Sequence, residues 1–393
     1  MARGFWIALV ALAGPALAAA APSPTIPFTF DDSRLWVPVR IGNGASIHQF
    51  ILDTGAASIV LDADLAIRHG LALVAVGDAT GAGGGRTAVG RVDRVALRVG
   101  SVALKPPSLS TSPLEVLLAG PTGHHAPGII GAQFFKEHVV EIDFERGLLR
   151  LHDPAAFYYR GSGVIVPLRF FEGLPMTTGA LTAADGTRLS LRLLVDLGAK
   201  STLLIAEPFI ARTDLRHAFP NVVEEPLGAG LGGPTRYAFA RARSLSVGRA
   251  ALSRPVVGLS VGGVLKSDWY DGLLGADFLS HYRVIFDYAR KRMILEARRS
   301  PPRVAFDRSG LSVRVDGPDL DRLWVTEIVR GSPADQAGLQ PGDRIERVDG
   351  RAAPVTLSGM RGLLRGESGR PLVIGYRRAG QAGLARLVLR DLL

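Results

Sequence analysis

Apolar and polar positions alternate with a period close to two through much of the chain. Leu189, Leu191, Leu193 and Val195 run into Asp196 with Ser190, Arg192 and Leu194 between them. Val95, Leu97 and Val99 end at Gly100, and Leu245 and Val247 precede Gly248. That period predicts strands with one buried face. Short helices are expected at 62–69 and 207–213. The 47 Gly and 25 Pro supply frequent turns between short elements. Beyond Pro301-Pro302 the pattern changes. Ser332-Pro333 is a helix start, with Ser as cap and Pro at the first helical position, and Gly338 is its stop. Arg344–Val348 reads as a strand ending in a tight Asp349-Gly350 hairpin. Leu357, Met360 and Leu364 stand at helical spacing.

The first three hundred residues repeat. Phe50-Ile51-Leu52-Asp53-Thr54-Gly55-Ala56 has a counterpart in Leu193-Leu194-Val195-Asp196-Leu197-Gly198-Ala199, at an offset of 143. Gly81-Ala82-Gly83 returns as Gly228-Ala229-Gly230, and Gly128-Ile129-Ile130-Gly131 as Gly272-Leu273-Leu274-Gly275. Val140 to Phe144 returns as Val284 to Asp287. Blocks in one order at nearly one offset mean two copies of a mostly β unit. The expected organisation is a first lobe over 25–155, a second over 160–300 and a different domain over 305–393.

Composition narrows the setting. Phe5 to Leu17 is apolar behind Arg3, and Ala16-Leu17-Ala18 fits a cleavage site, so 1–20 reads as an export signal. An uncleaved anchor is the competing reading. With no Cys, the fold does without disulfides. An exported protein, periplasmic or secreted from a bacterium, is expected. The net charge of +10 comes from scattered Arg with no nucleic-acid motif, so nucleic acid is not expected as a partner.

The repeated block resembles the active-site signature of retropepsin-like aspartic proteases. Ile129-Ile130-Gly131 and Leu273-Leu274-Gly275 resemble the apolar-apolar-Gly segment that packs behind each Asp loop in that family. The resemblance spans about 25–300 and implies two homologous β-lobes in a pepsin-like bilobal arrangement. It implies Asp53 and Asp196 as the catalytic pair, with peptide or protein as substrate and no metal or cofactor. Two carboxylates about 3 Å apart share one proton, so one activates water and the other polarises the scissile carbonyl. Both acids in one chain imply a working monomer. Thr54, Gly55, Ala56, Leu197, Gly198 and Ala199 would support the two loops. Gly81, Gly83, Gly84, Gly228 and Gly230 would belong to flaps that close over substrate. Leu197 departs from the pattern, because the family's Thr hydroxyl braces the opposite loop. That keeps open a peptide-binding or scaffolding protein without catalysis. Ala56 and Ala199 offer no hydroxyl to the carboxylates, which predicts a dyad working at mildly acidic to near-neutral pH.

Gly331 to Leu339, with Pro341-Gly342-Asp343 and Val348-Asp349-Gly350, resembles the core of a bacterial PDZ domain. The resemblance implies that Ser309, Gly310, Leu311 and Ser312 offer backbone N–H groups to a peptide carboxyl terminus. The helix near Leu357–Leu364 would form the other groove wall, and a C-terminal peptide would be a partner. Three other signals carry less. Gly258-Leu259-Ser260-Val261-Gly262 spells a nucleophile elbow but sits in a β repeat, and a surface loop is expected. His124-His125 is expected in an exposed loop rather than at a metal. Asp143 and Asp287 read as turn-forming acids.

Overall fold

The computed structural model describes residues 23–79, 81, 83–230, 232–353 and 356–393. The expected export signal over 1–20 lies outside the described residues. Two ten-stranded sheets, one per copy of the repeat, are built to the same plan. In the first, the strand His48–Leu52 leads to Asp53 and pairs in parallel with Gly128–Ile130, which in turn runs antiparallel to Val60–Asp62. In the second, Arg188–Asp196 pairs in parallel with Gly272–Gly275, which runs antiparallel to Leu203–Ile205. Each Asp loop is therefore clasped by a strand that arrives about 75 residues later. The period-two pattern explains the burial: Leu191, Leu193 and Val195 are buried while Arg192 and Ser190 point away.

A six-stranded sheet joins the lobes. Val139–Asp143 of the first copy pairs directly with Tyr282–Asp287 of the second, Val140 opposite Phe286 and Ile142 opposite Val284. One face of it, with Val140, Ile142, Val284 and Phe286, merges with both lobes into one core, while Val139, Ile285 and Ile294 on the other face form a cluster of their own. Asp143 and Asp287 terminate these strands by accepting turn N–H groups of Arg146 and Arg290.

The lobes differ at one helix that the repeat does not duplicate. The helix Leu114–Thr122 has no second-lobe equivalent; there the chain crosses from Val256–Ser260 to Gly272–Gly275 as a loop. One short helix per repeat was expected, yet Ala132–Glu137 and Ala276–Leu279 add a further turn behind each apolar-apolar-Gly segment. The expected helices form at Ala63–Arg68, capped by the Asp62 carboxylate, and at Glu207–Thr213.

The C-terminal domain folds around its own core of Leu311, Val325, Ile345, Met360, Leu372 and Leu387. Ser332 caps the helix Pro333–Gln336 through the Asp335 N–H, and Asp349-Gly350 turns with both φ positive. The strand Leu311–Asp316 is an edge strand. The helix Leu114–Thr122 of the first lobe lies against it: a side chain at Gly120 would sit 3.0 Å from the Val315 carbonyl oxygen. The two expected helices and the hairpin thus form a compact unit docked on the lobes through its open edge.

Candidate active site

Each Asp sits at the end of a buried strand, and Gly two residues on turns the chain back. Gly55 N–H donates to Asp53 Oδ1 at 2.7 Å, and Gly198 N–H donates to Asp196 Oδ1 at 2.8 Å. Asp196 also accepts the Ala199 N–H. The loops meet so closely that a side chain at Gly55 would lie 2.6 Å from Asp196 Cγ, and one at Gly198 would overlap the Asp53 carboxyl. The contact of the two loops brings the two carboxyl groups face to face at the floor of the interface. Gly131 and Gly275 serve the same end from behind: a Cβ there would overlap the main-chain oxygens of Ser58 and Ser201 respectively.

Thr54 and Leu197 brace the loops unequally. The fully buried Thr54 hydroxyl donates to the Val195 carbonyl at 2.7 Å and accepts the Leu197 N–H at 3.0 Å. Leu197 has no hydroxyl to return the bond and is fully buried in the common core. One half of the cross-brace is polar; the other is hydrophobic packing.

Burial raises the Asp53 carboxyl above the ordinary carboxylate range. Burial, and next the charge of Asp53, raises Asp196 well above it. Two like charges this close resist ionising together, so the pair shares one proton.

The dyad lines a cleft of about 670 Å³. Leu114, Leu117 and Leu118 form an apolar wall on one side, with Leu273, Tyr237 and Tyr270 on the other. Burial, with Asp196 nearby, pushes the Tyr270 hydroxyl up to about 12, so it remains a neutral donor. Two hairpins roof the cleft. One is Val74–Ala79 with Thr87–Asp93, the other Val223–Gly230 with Gly233–Arg241. Their tips touch: Gly85 N–H donates to Gly232 O at 2.8 Å, and Gly232 N–H donates to Thr87 Oγ1 at 2.8 Å. Gly81, Gly83, Gly84 and Gly230 line the cleft, while Gly228 lies further along the second hairpin.

Sequence reasoning missed an ionic junction at one end of the cleft. Asp32 stands on a two-residue turn with φ of 46° at Asp32 and 62° at Ser33. Its side chain is 2% exposed and receives Lys200 Nζ at 2.5 Å, Arg34 at 3.7 Å and the Arg361 guanidinium. Lys200, Arg361 and Arg34 hold this carboxyl below its ordinary range although burial opposes them, while burial and the Arg361 charge push the Lys200 amine well below its own. Arg34 and Lys200 line the cleft beside Asp53 and Asp196. Lys200 follows Ala199, where the first repeat has Ala57, so the break in the repeat was the one visible signal. Arg361 comes from the C-terminal domain, and only folding brings it there.

The other sequence candidates lie elsewhere. Ser260 is not in a surface loop: it ends the buried strand Val256–Ser260, and its hydroxyl is spent on the Ile205 carbonyl at 2.7 Å. His125 is exposed as expected and bonds Glu115, whereas His124 packs on Trp36 and bonds Asp31. Of Ser309, Gly310, Leu311 and Ser312, only Leu311 and Ser312 line a cavity, together with Arg361 and Arg365, while Ser309 and Gly310 are buried. The N–H groups of this segment are largely engaged. Ser309 N–H and Gly310 N–H donate to Asp307 Oδ1 at 2.9 and 2.6 Å, and Leu311 N–H donates to the Ser309 hydroxyl. The chain's own carboxylate takes two of the donors expected to receive a peptide terminus.

Residues 37–134 match the family model described as aspartyl protease, and residues 324–378 match that of the PDZ domain. Among solved structures, a crystal structure of aspartic proteinase from Irpex lacteus is similar at 16% identity and a TM-score of 0.44, over 70% of this chain and 98% of that one. No curated protein matches the chain.

Proposed function

We propose that this chain, which carries an aspartyl protease domain and a PDZ domain, is an endopeptidase whose nucleophile is a water activated by Asp53 and Asp196. The observation that carries the reading is the contact of two buried Asp loops, from two copies of one unit, at the floor of a roofed cleft. In the singly protonated pair, the ionised carboxyl takes a proton from water. The protonated one donates to the scissile carbonyl oxygen, and the tetrahedral intermediate collapses as a proton passes to the leaving nitrogen. Neutral Gly55, Gly198 and Ala199 N–H groups hold the carboxyls in place throughout. The leucine-rich wall opposite Tyr237 and Tyr270 favours peptides with large apolar residues on both sides of the scissile bond.

The test is cleavage of such peptides by the purified protein. Asp53→Asn and Asp196→Asn should each lower kcat by at least about 10²–10⁴-fold, and a statine-type peptide should compete with substrate. Undiminished cleavage by either variant would sink the assignment. A second reading, peptide binding without hydrolysis, is favoured by Leu197, since half of the polar brace is absent. It predicts that the unaltered protein binds the statine peptide and cleaves nothing.

A further inference from the structure

The catalytic cleft does not end at the lobes. Lys200, Leu227 and Thr235 line it, and the same three residues line a second cavity of about 580 Å³. One wall of that cavity is the edge strand Leu311–Asp316 with Arg361 and Arg365 of the last helix. The opposite wall is the base of the second roof hairpin, Glu225 to Gly228. The cavity beside the C-terminal domain and the substrate cleft thus adjoin, with Lys200 at the joint.

The chemistry of the second cavity is unbalanced. Four arginines line it: Arg236, Arg314, Arg361 and Arg365. Arg236 is paired with Glu327, and Arg361 with Asp32. Among the described residues, Arg314 and Arg365 have no ion pair. Glu225 and Asp307 are the remaining acids. Burial pushes the Glu225 carboxyl up to about 8, so at neutral pH it carries little charge. Asp307 is turned onto its own loop, where the Ser309 hydroxyl and two N–H groups hold it. Two guanidinium groups therefore face one engaged carboxylate across an open cavity, and a guanidinium fork is the natural receptor for a planar carboxylate.

Reach sets the register. Lys200 is four residues beyond Asp196, so the joint lies at most about 14 Å along the chain from the dyad at 3.3–3.6 Å per residue. An extended peptide covers that span in about four residues.

We propose that the second cavity is a specificity subsite of the protease cleft that takes a carboxylate carried by the substrate itself, about four to six residues from the scissile bond. The proposal rests on the peptidase reading above. The carboxylate is either an acidic side chain or the peptide's own terminus. The engaged Ser309 and Gly310 N–H groups distinguish this mode from capture of a terminus by the loop.

The experiment uses the full-length protein and amidated, acetylated fluorogenic peptides with one apolar cleavage site. A single Glu or Gln is scanned from three to seven residues away on each side. A parallel set lacks acidic side chains and ends in a free carboxylate or an amide at the same positions. Glu over Gln should raise kcat/KM about tenfold at four to six residues on one side only, and Arg365→Met should bring that ratio close to one. A gain confined to the free-terminus set assigns the same site to chain ends instead. Equal rates for all pairs, while cleavage proceeds, overturn the subsite and leave the peptidase reading standing. Binding to Asp53→Asn, followed by fluorescence anisotropy, separates the two. If nothing is cleaved but Glu peptides still bind this variant more tightly than Gln peptides, the subsite stands and the peptidase reading falls. Equal binding there also overturns the subsite.

Discussion

The Thr54 hydroxyl bridges Val195 and Leu197 across the lobe interface, and nothing on the opposite loop duplicates it. Thr54→Val keeps the volume but leaves a buried N–H and carbonyl unpaired. The expected loss is about 1–3 kcal/mol of stability, read by denaturant titration. Two other residues give stability a pH slope. The folded protein holds the Glu225 proton up to about 8, against an ordinary 4.5. That group's contribution is complete below 4.5 and is lost as pH rises towards 8, because the folded state binds the proton more tightly than the unfolded one. Glu225→Gln should flatten the melting temperature across that window. Asp32 has the opposite sign: its depressed pKa stabilises above the ordinary carboxylate range and ceases to do so on acidification. For activity, both dyad carboxyls are raised, so kcat should peak from mildly acidic to near-neutral pH. A rate profile with a strongly acidic optimum would contradict the upward shift of the two carboxyls.

Two kinds of glycine act on the scale of the element. Gly131 and Gly275 let a late strand press on each Asp loop, and Gly131→Ala would push against the Ser58 and Ala56 carbonyl oxygens. Main chain cannot swing aside as a side chain can, so loss of at least about 1–3 kcal/mol is expected in thermal unfolding. The roof glycines work differently. A side chain at Gly83 would lie 2.5 Å from Gly232 C, at the point where the hairpins touch. Gly83→Val should separate the tips, cutting kcat/KM about tenfold, or ~1.4 kcal/mol of transition-state stabilisation, while the melting temperature holds. A tip adds little to the core, so a large fall in stability would mean that the hairpins have a structural task instead.

At the scale of the whole molecule, one buried carboxyl ties three regions together. Asp32 belongs to the first lobe, Lys200 to the second Asp loop and Arg361 to the C-terminal domain. Arg361 also donates to the Pro121 and Val313 carbonyls. Arg361→Met removes these bonds together. It should cost about 1.5–3 kcal/mol and expose the segment near Pro301-Pro302 to added protease, as seen by limited digestion. Unchanged digestion would mean that the domain is held by its apolar contacts alone.

The two Asp loops, the apolar-apolar-Gly segments behind them and the Gly-rich hairpin tips were all legible in the sequence. Each is a local demand on backbone or side chain that only a few residue types satisfy, and duplication printed it twice. The caps at Asp62 and Ser332 and the turn at Asp349-Gly350 were legible for the same reason. The helix Leu114–Thr122 was not, because Pro113, Gly120 and Pro121 argue against a helix, and it is supported by packing on Trp36, Ile51 and Val60 and on the strand Leu311–Asp316. The engagement of Asp307 with its own loop was also invisible, since a side chain's choice between solvent and main chain depends on what buries it. The junction of Asp32, Lys200 and Arg361 spans more than three hundred residues. Sequence by itself determined which chemistry each loop could hold; the tertiary structure decided which charges meet, because burial gives an ion pair its strength and no single segment buries itself.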